Sequence, residues 1–235
     1  IKDHKPYRWF SVSEEDEKKA LMRADVVVAI QEEEGDIFKR VMGDQRSVRV
    51  IGHQTELKQM PLVNPKAMLF LASGNPLNIR TINYFVEEIM PMVRSEIHDA
   101  KLIIAGSVCQ HLHWEDDGIK TIGPVDTLEG AYGMADIVIN PIKWGTGLKI
   151  KCVEALAYRR VLVTSSNGAA GLDSDNNNHF IIADEPEAFA KAIIHLMTDE
   201  AQRIQIADSG YAYVRQLNEA ISREIESVLS FRESY

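Results

Sequence analysis

The chain predicts an α/β protein built on a doubly wound parallel sheet, and three features of the sequence predict it. Short apolar, β-branched runs recur along the chain, amphipathic stretches with helical spacing alternate with them, and most runs close on Gly, Asn or Ser. Strands that read as unbroken apolar runs are buried on both faces, as in a parallel sheet covered by helices. Crossovers between such strands are right-handed, so a doubly wound order is the economical solution.

The elements follow in order. Ser13 ahead of the acids 14–17 reads as a helix start, with carboxylates at the positive end of the dipole. Residues 24–30 (ADVVVAI) predict a strand, 32–42 a helix and 47–51 a short strand, a piece too small to bury both faces of its own sheet. Residues 53–65, with Pro61, Asn64 and Pro65, read as a linker. Residues 67–72 (AMLFLA) open a new strand that runs into Ser73-Gly74-Asn75-Pro76. Residues 78–94 then show helical spacing through Ile79, Ile82, Phe85, Val86 and Ile89. Strands follow at 101–105 and 119–122, stopping at Gly106 and Gly123, then a short helix at 128–134 and a strand at 136–140. A helix over 148–158, strands at 161–164 and 179–183, and helices over 185–197 and most of 200–229 complete the chain. The organisation expected is therefore a small αβ segment over 1–52, the linker, and a main domain over 66–235. The last helix is expected to pack back towards the first segment.

Composition narrows the function classes. With 235 residues, 45% hydrophobic and 26% charged, the chain suits a soluble globular protein whose core needs no staples. Cys109 and Cys152 are too few for a disulfide framework, which points to a reducing compartment and a cytoplasmic protein. The net charge of −9 disfavours nucleic acid, whose phosphates demand a basic face. No apolar run approaches the roughly 20 residues that span a bilayer, and the start has no signal-peptide pattern. The first residue is Ile1, which raises the expectation of a fragment or a processed product.

Residues 140–164 (NPIKWGTGLKIKCVEALAYRRVLVT) carry the chemistry. In open α/β sheets, ligands sit at the carboxyl ends of strands, where helix N-termini point at them. Gly145 and Gly147 lack side chains, so the backbone of Gly145, Thr146, Gly147 and Leu148 can approach a phosphate closely. The helix start favours an anion there by about 0.3–1 kcal/mol. Lys149 and Lys151 add cationic donors. Glu154 and Tyr158 fall on the helical face of Lys151, and a carboxylate can accept two hydrogen bonds from the adjacent hydroxyls of a ribose. Singly, each feature also reads as structural: a glycine turn, a solvated lysine, a surface Lys151–Glu154 pair worth little. Their combination matches a nucleoside diphosphate.

The run GTGLKIKCVEALA, residues 145–157, resembles the donor-site signature of retaining GT-B glycosyltransferases of the group 1, or family 4, type. The surrounding order resembles that family too: 24–34 its last acceptor-domain strand and helix, 71–91 the opening βα unit of its donor domain. LIIAGS (102–107), IGPV (122–125) and ADEPEAF (183–189) fall in its order as well. The resemblance implies a Rossmann-like donor domain over 66–235 and a remnant of the N-terminal acceptor domain over 1–52. It implies sugar transfer with retention from a nucleoside-diphosphate donor, the diphosphate at Gly145, Thr146, Gly147, Leu148, Lys149 and Lys151. Glu154 corresponds to the ribose-holding second glutamate of the E-x7-E motif, and Gly123 and Val125 to the loop that reads the base. Thr146 stands where that motif has its first glutamate. Arg159 and Val161 replace a usual glycine and proline, and a basic residue usual after the first donor-domain strand is absent from 73–77. No metal or cofactor is expected, because the cations serve the diphosphate. The missing N-terminal domain of the same protein is the expected partner, and a peripheral place at the membrane is one expectation for the full-length protein.

Other features carry less. Gly74, Gly106, Asn167 and Gly168 lie at strand ends, where they either contact sugar and phosphate or make turns. Cys109, His111 and His113 are spaced like metal ligands, but no second cluster accompanies them. The DSDNNN patch at 173–178 lacks the glycine and final glutamate of a calcium loop. Two further readings remain: a sugar-nucleotide-binding domain without catalysis, and a nicotinamide-dependent oxidoreductase, whose G-x-G-x-x-G run residues 73–78 do not supply.

Overall fold

The structure, a computed structural model, describes residues 12–43, 47–172 and 179–230; the patch at 173–178 lies outside them. The chain forms two compact units, one of residues up to Gly52 with those from Arg223 onward, the other His53–Ser222. In the first unit, α1 (Glu14–Leu21) is capped by Ser13, whose Oγ accepts from the Asp16 N–H at 3.2 Å. Strands β1 (Val26–Ala29) and β2 (Ser47–Val50) pair in parallel, joined by α2 (Glu32–Met42). Gly35 lets α2 lie close on them, since a Cβ there would stand 2.8 Å from Val50 Cγ2.

The second unit holds six parallel strands: β3 (Ala67–Leu71), β4 (Lys101–Ala105), β5 (Ile119–Gly123), β6 (Ile137–Asn140), β7 (Val161–Thr164) and β8 (Ile181–Ile182). Their order is β5-β4-β3-β6-β7-β8, so the chain winds outward from β3 in one direction and from β6 in the other. Successive strand residues face opposite sides. Met68 and Phe70 pack with Ile82, Phe85, Val93, Phe189 and Ile193 on one face. Ala67 and Leu69 pack with Tyr132, Val153, Leu156 and Val214 on the other. Every residue of β6 and β7 is buried, which is why these strands read as apolar runs up to their last residues, Asn140 and Thr164.

On the first face, α3 (Pro76–Tyr84) passes through a π turn (Phe85–Ile89) into α4 (Met90–Glu96). The single α-helix expected over 78–94 is broken because Pro91 has no N–H to donate and its ring crowds the carbonyl of Glu87; the wider turn accommodates both. That face also carries α7 (Pro186–Thr198). The other carries α5 (Leu128–Tyr132), α6 (Ile150–Ala157) and part of the long α8 (Glu200–Ser230). A 3₁₀ turn over Ser107–His111 follows β4 and was not foreseen.

Residues 53–65, read above as a linker, form no helix or strand but are bonded into the second unit. Lys58 N–H donates to Ala157 O at 2.9 Å, and the N–H groups of Val63 and Asn64 donate to Asp136 Oδ1 at 2.7 and 2.9 Å. Asp136 and Arg160 are almost fully buried and lie 3.6 Å apart, and Arg160 Nη2 reaches Pro61 O at 2.8 Å. Arg159, where the family glycine was expected, keeps the left-handed conformation at φ 57°. That conformation costs an L-residue roughly 1–2 kcal/mol; bonds to Asp208 (2.6 Å) and Met60 O (3.1 Å) offset it.

Candidate functional site

The switch in winding direction falls between β3 and β6, and the loops after these two strands meet at the carboxyl edge of the sheet. Helix α3 begins there, with Asn75 as its cap: Asn75 Oδ1 accepts from the Asn78 N–H at 2.9 Å. The Asn78 side chain is 5% exposed. Its Nδ2 donates to Ser73 O at 3.0 Å and its Oδ1 accepts from Lys151 Nζ at 3.1 Å. Lys151 Nζ also stands 4.8 Å from the centre of the Phe70 ring. Burial lowers Lys151 from the usual lysine range to about 8.

Helix α6 starts at Ile150, two residues later than expected, because Lys149 takes the capping position with extended backbone. The Lys149 ammonium turns back onto Gly147 O at 2.6 Å and Thr146 O at 3.2 Å, and burial lowers its pKa as well. Lys149 was expected as a cationic donor for a diphosphate. Two of its three donors are spent on the loop, whose carbonyls face it. Among the described residues, no carboxylate lies within ion-pair distance of Lys149 or Lys151, and no protein group accepts the N–H groups of residues 145–149. Gly145 and Gly147 lie at φ 98° and 78°, the left-handed region. A Cβ on Gly147 would meet nothing within 4 Å, so its requirement is conformational.

The loop rests on α3. The Arg80 guanidinium stacks 3.6 Å over the Trp144 ring, and Lys143 Nζ stands 4.3 Å over the Tyr84 ring. Asn167 Nδ2 braces the loop from the other side, donating to Gly145 O at 2.9 Å, while its buried Oδ1 has no partner. Glu154 is half-buried and accepts from the Tyr132 hydroxyl at 3.1 Å; Tyr132 stacks on Tyr158 at 4.9 Å. Burial, reinforced by the Glu154 charge, raises the Tyr132 pKa well above the usual tyrosine value, so this hydroxyl stays a donor.

The remaining candidates divide. Gly123, at φ 74° on the end of β5, accepts from the Gly106 N–H at 2.7 Å, and Val125 packs partly against the core. A Cβ on Gly106 would stand 2.1 Å from Ala72 O, and Gly74 N–H is spent on Ser107 Oγ at 3.0 Å. Gly168 N–H is likewise spent, on Ser165 Oγ at 3.0 Å, and a Cβ there would stand 2.1 Å from Thr164 Oγ1. Gly74, Gly106 and Gly168 are thus closely packed, and each has its N–H bonded within the protein. Cys109 Sγ donates to Ile104 O at 3.2 Å, and among the described residues no group of three or more His, Cys, Asp or Glu could hold a metal. No described helix is long and apolar enough to cross a membrane. An open groove between α4 and α7, lined by Met92, Glu96, Lys191 and His195, lies apart from these loops.

Asn78, Tyr132, Arg80 and Trp144 were not foreseen. Asn78 left a signal: it shares a helical stripe with Ile82, Phe85 and Ile89, a polar residue at a core position.

A six-stranded parallel sheet wound both ways, with a glycine loop and helix start at its switch point, is the Rossmann-like fold found in GT-B glycosyltransferases. Crystal structures agree. The chain matches TarM of S. aureus with a TM-score of 0.77 at 15% identity, over 97% of this chain and 48% of that one. It matches Anabaena HepE with a TM-score of 0.68 at 17% identity, over 93% of this chain and 67% of that one. Residues 65–199, more than half of the chain, match the family of group 1 glycosyl transferases, and the chain belongs to that family. A 44.6 kDa protein of the cps region of Klebsiella pneumoniae is 27% identical over 152 residues, which are 60% of this chain and 39% of that protein. The chain thus spans about two fifths of that relative and about half of TarM.

Proposed function

We propose that this chain is mainly the donor-binding half of a glycosyltransferase that moves a sugar from a nucleoside diphosphate to an acceptor with retention. The observation that carries the reading is the pair of half-buried lysines without a carboxylate partner, set beside a loop of unaccepted N–H groups at the switch point. Such a place is completed by an anion with several oxygens. Lys151, the remaining donor of Lys149 and the start of α6 stabilise the departing diphosphate by fixed electrostatics. Glu154, steadied by Tyr132, accepts from the ribose hydroxyls, and the Gly123–Val125 loop faces the base. These cations do the work a metal does in other sugar transferases, and no base within the chain is needed for the step.

In this reading residues 1–52 are what remains of the acceptor domain, and the rest of that domain is the partner that completes the crevice. The same reading makes the full-length protein cytoplasmic, with a peripheral place at the membrane as one alternative. Structures of TarM, HepE and the pneumococcal transferase GtfA hold UDP, which makes UDP the first probe. Calorimetric titration of the chain with UDP, GDP, ADP and NAD should give weak binding of a diphosphate and no binding of NAD, and incubation with a nucleoside-diphosphate sugar should give no sugar transfer. Robust turnover by this chain alone overturns the half-site reading, and preference for NAD overturns the donor site.

A second reading, sugar-nucleotide binding without catalysis, is favoured by Thr146, exposed and offering a hydroxyl where the family has a carboxylate. Donor hydrolysis by the intact parent protein counts against it.

A further inference from the structure

We propose that Asn78 is a positioning residue for this site: its carboxamide ties the loop after β3 to the Lys151 ammonium and holds that ammonium at the switch point without neutralising it. The inference rests on the donor-site reading and deepens it. Asn78 is 5% exposed and so does not itself meet the ligand. Its orientation is fixed by its partners. Ser73 O can only accept and Lys151 Nζ can only donate, so Nδ2 faces the first at 3.0 Å and Oδ1 the second at 3.1 Å. The backbone N–H of Asn78 is held by the Asn75 cap at 2.9 Å, which locks the residue into the first turn of α3.

A neutral acceptor is the group this position requires. An apolar side chain would leave a half-buried ammonium with no acceptor, and burial would then drive it to shed its proton. A carboxylate would hold the charge firmly but would cancel it, leaving an internal ion pair with little left for a diphosphate. A carboxamide dipole supports the cation and leaves two of its donors unspent. The groups that act on Lys151 from its own segment are Cys152, Glu154 and Lys149. From β3 and α3 the groups against it are the Phe70 ring and the Asn78 carboxamide, neither of which titrates.

The test is calorimetric titration of the full chain with UDP, GDP and ADP between pH 7 and pH 9.5, for wild type, Asn78→Ala, Asn78→Asp and Lys151→Met. The second pKa of a terminal phosphate is about 6, so above pH 7 the phosphate is almost fully ionised, and with ADP, whose base has no acidic N–H, the change reports the protein. Wild-type affinity should fall as the pH passes about 8, where Lys151 loses its proton. Both Asn78 variants should bind roughly tenfold more weakly at pH 7, equivalent to about 1.4 kcal/mol. Asn78→Ala should move the midpoint of the fall to lower pH and Asn78→Asp to higher pH. In the Lys151→Met background neither should weaken binding further. Unchanged midpoints, shifts in one direction, or losses that add to that of Lys151→Met overturn the inference while the donor site stands. If wild type binds none of the three diphosphates, the donor-site reading fails and this inference with it. Should Asn78→Ala not fold, the isosteric Asn78→Asp and its upward shift decide the matter.

Discussion

Arg160 and Lys151 are both cations withdrawn from water in the same domain, and the fold treats them differently. Arg160 is enclosed by its own counter-charge and acceptors: Asp136 at 3.6 Å, Tyr158 O at 3.0 Å and Pro61 O at 2.8 Å. Arg203 Nε approaches the same carboxylate at 3.6 Å. Burial lowers Arg160 to about 10, which still leaves it charged at neutral pH. Lys151 has one neutral acceptor and stands at about 8, close to neutrality. A cation supplied with a carboxylate is closed by the chain and ties segments together. One supplied only with a dipole is unfinished, and perturbed groups of that kind gather where function is.

The largest test of this contrast is Asp136→Ala. It strands two buried guanidinium groups and releases the N–H groups of Val63 and Asn64. Breaking one side of a buried pair costs about 3–5 kcal/mol, and denaturant unfolding should show a loss of that order. A loss below about 1 kcal/mol would mean that water reaches the cluster.

Lys151→Met comes next and should act in two opposed directions. Diphosphate affinity falls at least tenfold, about 1.4 kcal/mol, while the thermal midpoint rises, since holding this charge in the fold is a net cost. The sign follows from linkage. Lys151 sits near 8 in the fold against 10.5 in the open chain, so the unfolded state binds the proton more tightly between those values. Wild-type stability should therefore climb as pH rises from about 8 to 10.5, and the climb should flatten in Lys151→Met. A variant that lost both affinity and stability would make Lys151 a structural residue like Arg160.

The smallest effect is at Gly147. Alanine there meets open space but must hold φ 78°, at a cost of about 1–2 kcal/mol. Donor affinity should drop more than that strain alone predicts if the loop closes on phosphate, and equal losses in stability and binding would argue that it does not.

The fold was legible because its signals are local. Residues 67–71, 137–139 and 161–163 are apolar throughout since both faces of those strands are covered, and their shortness and β-branched content favour strand over buried helix. The candidate site could be read from the sequence where it is contiguous: Gly145, Gly147, Lys149, Lys151 and Glu154 lie on one loop and helix. What supports them comes from elsewhere. Asn78 is 73 positions from Lys151, and Tyr132 is 22 from Glu154; pairings of that range leave no spacing pattern. The bonds of Lys149 to Thr146 O and Gly147 O were hidden for a related reason, because composition marks a cation but not the carbonyls that a loop turns towards it. Gly74, Gly106 and Gly168 share the look of phosphate-loop glycines, yet only coordinates reveal that their N–H groups are already taken.

The π turn at Phe85–Ile89 sets the angular phase of the helix it interrupts. One residue in a helix is worth about 100° of rotation, so the extra residue lets the two halves keep separate appointments. The first half aims Asn78 and Arg80 at the loop; the second sends Val93 inward and rests Met92 and Glu96 beside α7. Excising a single residue from this stretch would straighten the rod and bring the halves into step, and one set of contacts would have to turn away. The spare residue that Pro91 makes welcome is thus what allows one helix to serve both the core and the loop after β6.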